Sequence, residues 1–207
     1  MSLKGKIKKF GNYIKSFNTR IRKFKKSSDL KRWSKKESLL KSWDTRTKII
    51  SEFILPNTKV IEFGAGTLKL KSFIHETVEY TPSDIVDRGE NTIVCDLNRP
   101  LPQFKEYDYA VFSGVLEYIN DVPRLIKHLY PGVKSILASY AVVEKNKENR
   151  RAFGWVNDFT EKDFLNVFEA VGYKLKCKKQ WRKQLVFHFE INDFEKFKIN
   201  KKETPVI

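Results

Sequence analysis

The chain has 207 residues, 41% of them hydrophobic and 14% aromatic, which suits one globular domain of ordinary size with an appendage. Its apolar runs, such as 136–143, fall far short of the roughly 20 residues a membrane span needs, so no crossing segment is expected. The lysine-led N-terminus lacks the apolar stretch and cleavage site of a secretory signal, and a cytoplasmic location is the expectation. Cys95 and Cys177 show no ligand spacing, so neither a disulfide framework nor a bound metal is expected. The formal charge of +16 is uneven. Residues 1–50 carry 17 Lys+Arg against 3 Asp+Glu, whereas residues 51–207 carry 24 against 22. A partner attracted by positive charge is therefore expected to meet the N-terminal arm and not the main domain.

In chain order, Ile7, Phe10, Ile14, Phe17, Ile21 and Phe24 follow Leu3 at alternating spacings of four and three, the pattern of one helix face. Residues 1–28 hold 10 Lys+Arg and no acid, and read as a basic amphipathic arm. Ser27-Ser28-Asp29 marks a break and a fresh helix start, and 29–55 reads as a helical lead-in. Residues 56–190 then alternate strands with helices. Strands are expected at Lys59–Phe63, Val78–Thr81, Thr92–Cys95, Tyr109–Ser113, Lys134–Tyr140, Tyr173–Lys178 and Gln184–Glu190. Helices are expected at about Leu68–His75, Val122–Tyr130 and Glu161–Val171. The alternation predicts an α/β fold: a mostly parallel seven-stranded sheet with helices on both faces, closed by an antiparallel hairpin. The tail, 191–207, shows no clear pattern.

The residues that carry chemistry begin with Val60-Ile61-Glu62-Phe63-Gly64-Ala65-Gly66-Thr67, a buried strand running into a glycine turn. In open α/β sheets ligands bind beyond the carboxyl ends of the strands, where glycines allow close approach to backbone. By itself the turn is equally compatible with a plain strand-to-helix connection. A dinucleotide fingerprint would place a third glycine at position 69, which is Lys69, and Glu62 would repel a pyrophosphate. An ammonium or sulfonium charge would instead be favoured there. Asp84 ends the second strand 20 residues after Gly64, where an acid can accept bonds from ribose hydroxyls, unless it only pairs with Arg88. Asp96, ahead of Leu97, either reaches an adenine amino group or caps the turn Asn98-Arg99-Pro100.

Taken together, these elements resemble the class I S-adenosylmethionine-dependent methyltransferases, which have a Rossmann-like fold. Glu62 to Gly66 resembles that family's first motif, Asp84 its ribose acid, Asp96-Leu97 its adenine pair, and Ser113-Gly114-Val115-Leu116-Glu117-Tyr118-Ile119 its fourth motif. The resemblance spans roughly residues 50–190. It implies S-adenosylmethionine as cofactor, with Glu62, Gly64, Gly66, Asp84, Asp96, Leu97 and Ser113 as binding residues. Two departures stand out. Leu68 occupies a common third-glycine position, and Gly114 stands where many small-molecule members carry a histidine. Glu117 and Tyr118 are then the nearest candidates for a catalytic base, although Glu117 equally suits a support for the turn. Tyr140, Trp155 and Asn157, on the side where the family builds its acceptor pocket, are the expected acceptor contacts.

The functional expectation is methyl transfer, by an enzyme similar to small bacterial methyltransferases of surface-glycan type. The acceptor is expected to be a small molecule, most specifically a hydroxyl of a cell-surface glycan or lipid-linked intermediate. The arm would hold the protein peripherally on an anionic membrane. An RNA methyltransferase, with the arm tracking phosphates, is the alternative; the nearly neutral main domain argues against it. A non-catalytic S-adenosylmethionine-binding protein is a third reading.

Overall fold

The computed structural model describes residues 3–130 and 132–191, so the expected tail lies outside the described residues apart from Ile191. Among the described residues seven strands form one sheet: β1 Lys59–Phe63, β2 Glu79–Asp84, β3 Ile93–Val94, β4 Tyr107–Phe112, β5 Val133–Tyr140, β6 Tyr173–Trp181 and β7 Gln184–Ile191. Their order is β3-β2-β1-β4-β5-β7-β6. The first five are parallel, and β7 inserts antiparallel between β5 and β6, closing the expected hairpin. Central strands such as β1, with four of five residues buried, are apolar almost throughout because both faces are covered.

Alternation along the strands divides the core. Ile61, Phe63, Ala110 and Phe112 face a layer containing Leu125, Ile126, Phe164 and Phe168. These come from α4 (Val122–Leu129) and α5 (Glu161–Glu169). Val60, Val111 and Leu137 face the opposite layer, where Ile50 of α3 (Asp44–Ser51) and Leu70 pack. The starts of α4 and α5 are fixed by local capping bonds. Asp121 accepts from Arg124 N at 3.0 Å with Pro123 in the first turn, and Thr160 and Asp163 form a reciprocal capping box.

The helix expected over Leu68–His75 is absent; a short 3-10 turn, Lys69–Ser72, replaces it. Leu68 stands in the left-handed region at φ +58°, so the chain keeps the backbone a third glycine would supply without having one. For a side chain that conformation costs about 1–2 kcal/mol, and the helix cannot propagate through it.

Helix α1 (Leu3–Phe24) docks through its polar side. Ser16 and Thr19 are buried where α1 packs on the 3-10 turn Arg150–Phe153. Their hydroxyls donate back to Asn12 O and Lys15 O, so burial strands no donor. At about 100° per residue, Ser16 and Thr19 lie on the opposite side of the helix from the apolar stripe. That stripe is consequently turned outward, with Phe10 66%, Phe17 55% and Phe24 89% exposed. The lead-in contributes α2 (Leu30–Trp33), capped by Asp29, and two 3-10 turns before α3. Among the described residues no helix is long and apolar enough to cross a membrane.

Candidate active site

The carboxyl ends of β1, β2 and β4 open on one cavity of about 410 Å³, within the range of small-ligand sites. Its floor is the turn after β1. Gly64 (φ +70°) and Gly66 (φ +55°) take conformations that a side chain would strain. A Cβ on Gly64 would stand 2.5 Å from Val115 Cγ2, so only hydrogen lets the turns after β1 and β4 meet. The turn is fastened to β2: Gly64 N and Ala65 N donate to Ser83 O at 2.8 and 3.1 Å, and Gly66 N donates to Asp84 Oδ2 at 2.9 Å.

All seven residues expected at a cofactor, Glu62, Gly64, Gly66, Asp84, Asp96, Leu97 and Ser113, line this cavity. Both alternatives weighed for the acids are also realised. Asp84 pairs with Arg88 at 3.1 Å, and also accepts from Val86 N. Asp96 Oδ1 caps its turn through Asn98 N at 2.9 Å and accepts from Ser28 Oγ at 2.6 Å. Each carboxylate still has acceptor capacity left, because two oxygens offer about four lone-pair sites. Glu62 is buried and accepts from Tyr80 Oη at 2.5 Å. Burial pushes its carboxyl up to about 8 and Asp84 adds to the rise, against the Tyr80 hydrogen bond and the Arg46 charge. Ser83 Oγ and Arg88 Nε, also in the cavity wall, are buried without a hydrogen-bond partner among the described residues.

The catalytic and acceptor candidates are placed differently. Tyr118 lines the cavity, with its ring edge-on to Trp33 and its hydroxyl accepting from Trp155 Nε1 at 3.2 Å. Burial raises its pKa. Glu117 is fully buried outside the cavity lining, and its Oε1 accepts from Ala141 N and Gln184 Nε2. Burial raises its carboxyl as well. Tyr140, Trp155 and Asn157, the expected acceptor contacts, do not border this cavity. Tyr140 is fully buried, its hydroxyl bonded to Asn157 and accepting from Phe159 N and Arg150 Nη2. Asn157 in turn donates to Leu116 O at 2.7 Å and Ile119 O at 2.9 Å. This network braces the turn after β4 from behind, because buried polar groups need partners and here find them in one another.

Residues that sequence reasoning passed over form the rest of the wall. Trp33, Leu39 and Trp43 come from the lead-in, and Arg46 and Thr47 from α3. Arg46 Nε donates to Ser113 Oγ at 3.1 Å, Nη2 to Ser113 O at 2.9 Å and Nη1 to Gln184 Oε1 at 2.9 Å. Burial lowers its pKa, while Glu117, Tyr118 and Glu62 hold it up. Its partners are 67 and 138 residues away in the chain, so no local pattern announces it.

This fold is shared with solved methyltransferases. CalO1, a methyltransferase in calicheamicin biosynthesis solved with S-adenosylhomocysteine bound, aligns at a TM-score of 0.59 and 16% identity, over 75% of this chain and 55% of that one. NcsB1, an O-methyltransferase from neocarzinostatin biosynthesis, was solved with S-adenosylmethionine and 2-hydroxy-5-methyl naphthoic acid. It aligns at 0.54 and 15% identity, over 72% and 57%. The N-terminal domain of EvdMO1, solved with S-adenosylhomocysteine, aligns at 0.52 and 10% identity, over 73% and 81%. The chain thus spans little more than half the length of the first two. No protein-family model matches the sequence, and no curated protein is similar to it at the sequence level. The architecture is that of the class I methyltransferases.

The residues present fit the cofactor this fold implies. Gly64 has no room for a Cβ beside Val115, the acids follow one another along the rim, and Ser83 Oγ in the wall has no hydrogen-bond partner among the described residues.

Proposed function

We propose that this chain binds S-adenosylmethionine and transfers its methyl group to a hydroxyl acceptor, a glycan or lipid-linked intermediate met at an anionic membrane surface. One observation carries the cofactor assignment: Glu62, Asp84 and Asp96 border a single cavity whose floor is the Gly64-Ala65-Gly66 turn. The sulfonium supplies an already activated methyl group, so the protein has to align the acceptor, exclude water and receive a proton. Trp33, Trp43 and Tyr118 provide an aromatic wall for the acceptor, and Tyr118 orients it. The proton falls to Asp44. Among the lining carboxylates Asp29 is paired with Arg22, Glu62 bonded by Tyr80, Asp84 paired with Arg88 and Asp96 bonded by Ser28. Asp44 has no side-chain partner among the described residues. Glu117 supports the turn after β4 instead.

The membrane part of the reading is supported by α1. Its apolar stripe faces outward and its polar face is taken by the domain, the reverse of what a helix serving only the core would do. Lysines flanking the stripe complement anionic headgroups at about 1 kcal/mol each, and RNA has no use for the phenylalanines. A free aromatic acceptor is the second reading, favoured by the tryptophan-lined wall and by the naphthoic acid held by NcsB1. Calorimetry with S-adenosylhomocysteine and flotation with vesicles of phosphatidylglycerol test the two halves separately. Binding of both is expected, with vesicle binding weakened by salt and lost in the Phe10→Ser/Phe17→Ser variant. No heat with S-adenosylhomocysteine defeats the cofactor assignment, and unchanged flotation of the double variant defeats the membrane reading.

A further inference from the structure

Helix α1 is joined to the wall of the cavity at two places. Arg22, two residues before its end, lines the cavity, donates to Thr19 Oγ1 at 3.0 Å and pairs with Asp29 at 3.0 Å. Ser27, Ser28 and Asp29, just beyond the helix, line the cavity as well. Ser28 Oγ donates to Asp96 Oδ1 at 2.6 Å and accepts from Asn98 Nδ2 at 2.8 Å, which fastens the end of the arm to the rim after β3. Further back along the helix, α1 lies against the turn Arg150–Phe153, and the next residue, Gly154, belongs to the cavity wall. These attachments fix the direction of the outward stripe relative to the mouth of the cavity.

The thickness of a helix converts that attachment into a depth. With its side chains an α-helix is about 10–12 Å across. An interfacial helix sinks its apolar face about 5–10 Å into the boundary between headgroups and acyl chains. With Phe10, Phe17 and Phe24 sunk that far, the opposite side of α1, where Ser16 and Thr19 meet Arg150–Phe153, comes level with the outer edge of the headgroup layer. Gly154 stands at that level, and a Cβ on it would lie 3.5 Å from Cε1 of Tyr118 in the cavity wall. Arg32 sits between the docked helix and that wall. Its Nη1 donates to Phe153 O at 2.6 Å, and its guanidinium lies 4.7 and 5.5 Å from the ring centroids of Trp33 and Tyr118. The guanidinium has no carboxylate partner among the described residues, so its charge is left for an anion at that edge.

Resting on the function proposed above, we infer that the mouth of the cavity opens on the headgroup layer of the bilayer that holds α1, and that the acceptor is a membrane lipid whose own headgroup, or first sugar, carries the methylated hydroxyl. A methyl donor held about one helix diameter above the acyl boundary is within reach of such a headgroup while the lipid chains stay in the hydrocarbon. The distal residues of a long glycan extend past the mouth into water. Arg32 is placed to meet the anionic group that joins headgroup to lipid, because its planar donors suit phosphate oxygens. The arm then sets the depth at which transfer occurs as well as the surface on which the protein sits.

The test uses the full chain on vesicles of phosphatidylglycerol brominated on the acyl chains near the headgroup, whose bromine atoms quench tryptophan fluorescence at short range. Flotation follows binding itself. Trp33, in the cavity wall beneath Arg32, is expected to be quenched, so Trp33→Phe removes most of the quenching seen in the wild type. Trp181→Phe removes little, because Trp181 ends the edge strand β6 and is bonded to Thr45. Arg32→Gln should weaken binding to these vesicles about fivefold, the effect of one charge at the surface, and Lys174→Gln, on β6, should leave it within about twofold. The charge variants decide the question should Trp33→Phe not fold. Vesicle binding with quenching that Trp33→Phe leaves unchanged overturns the inference and keeps the membrane reading, and the acceptor then approaches from the water side. Equal effects of Arg32→Gln and Lys174→Gln overturn it too. If the wild type does not float, the membrane reading and the inference fall together.

Discussion

Replacing Glu62 by Gln separates a charge effect from a shape effect, because Gln keeps the acceptor for Tyr80 Oη but cannot ionise. The wild-type carboxyl titrates near 8 in the folded protein against an ordinary value of 4.5. A raised folded-state pKa means that the native state holds a proton the unfolded chain has released. Its stabilising contribution is whole below pH 4.5 and is lost as pH climbs through 8. Within that window the wild type should lose stability relative to Glu62→Gln by up to about 1.4 kcal/mol per pH unit. Urea unfolding of both proteins at half-unit steps from pH 5 to pH 8.5 measures the difference, which should level off above 8. The same proton competes with a cationic ligand head. S-adenosylhomocysteine should therefore bind the wild type about tenfold more weakly for each unit below pH 8, while Glu62→Gln binds weakly at every pH. Parallel stability curves for the two proteins across the window would refute the argument, for they would mean that Glu62 is already ionised in the folded protein.

Tyr140→Phe removes a hydroxyl that bonds Asn157, Arg150 and Phe159 N, so it should cost about 1–3 kcal/mol of stability by chemical denaturation and leave S-adenosylhomocysteine affinity unchanged. A large affinity loss with intact stability would return Tyr140 to the binding site. Gly64→Ala combines a left-handed backbone with a contact 2.5 Å from Val115 Cγ2 and should cost about 2–4 kcal/mol. Adding Val115→Ala should recover part of that loss, a coupling read from the double-mutant cycle; strict additivity would show that the two turns do not meet there.

Most of the architecture was legible because it rests on short-range signals. Apolar runs such as Val60 to Phe63 mark strands buried on both faces, and the apolar spacing within Val122–Tyr130 and Glu161–Val171 marks the helices packed on them. Glu62, Gly64, Gly66, Asp84 and Asp96 were legible for a related reason: each sits at or just beyond the end of a strand, where parallel packing aligns strand ends into one rim. The helix after the glycine turn was misread because the pattern of apolar residues is silent on backbone sign, and Leu68 at φ +58° breaks what the periodicity would continue.

The surroundings of the expected acceptor residues were not legible. Tyr140 ends the fifth strand and Asn157 follows it, but which way each points depends on Arg150 and on the carbonyls of Leu116 and Ile119. Arg46 carries no local signature, since its hydrogen bonds run to Ser113, just beyond β4, and to Gln184 of β7. The stripe on α1 was plain in the sequence, and the side that remains outside was not. The sequence by itself determined that α1 has an apolar and a polar face, because that follows from spacing along one helix. Only the tertiary structure decided that the polar face docks, because Ser16 and Thr19 are small enough to approach the turn at Arg150–Phe153 and satisfy their hydroxyls within their own helix.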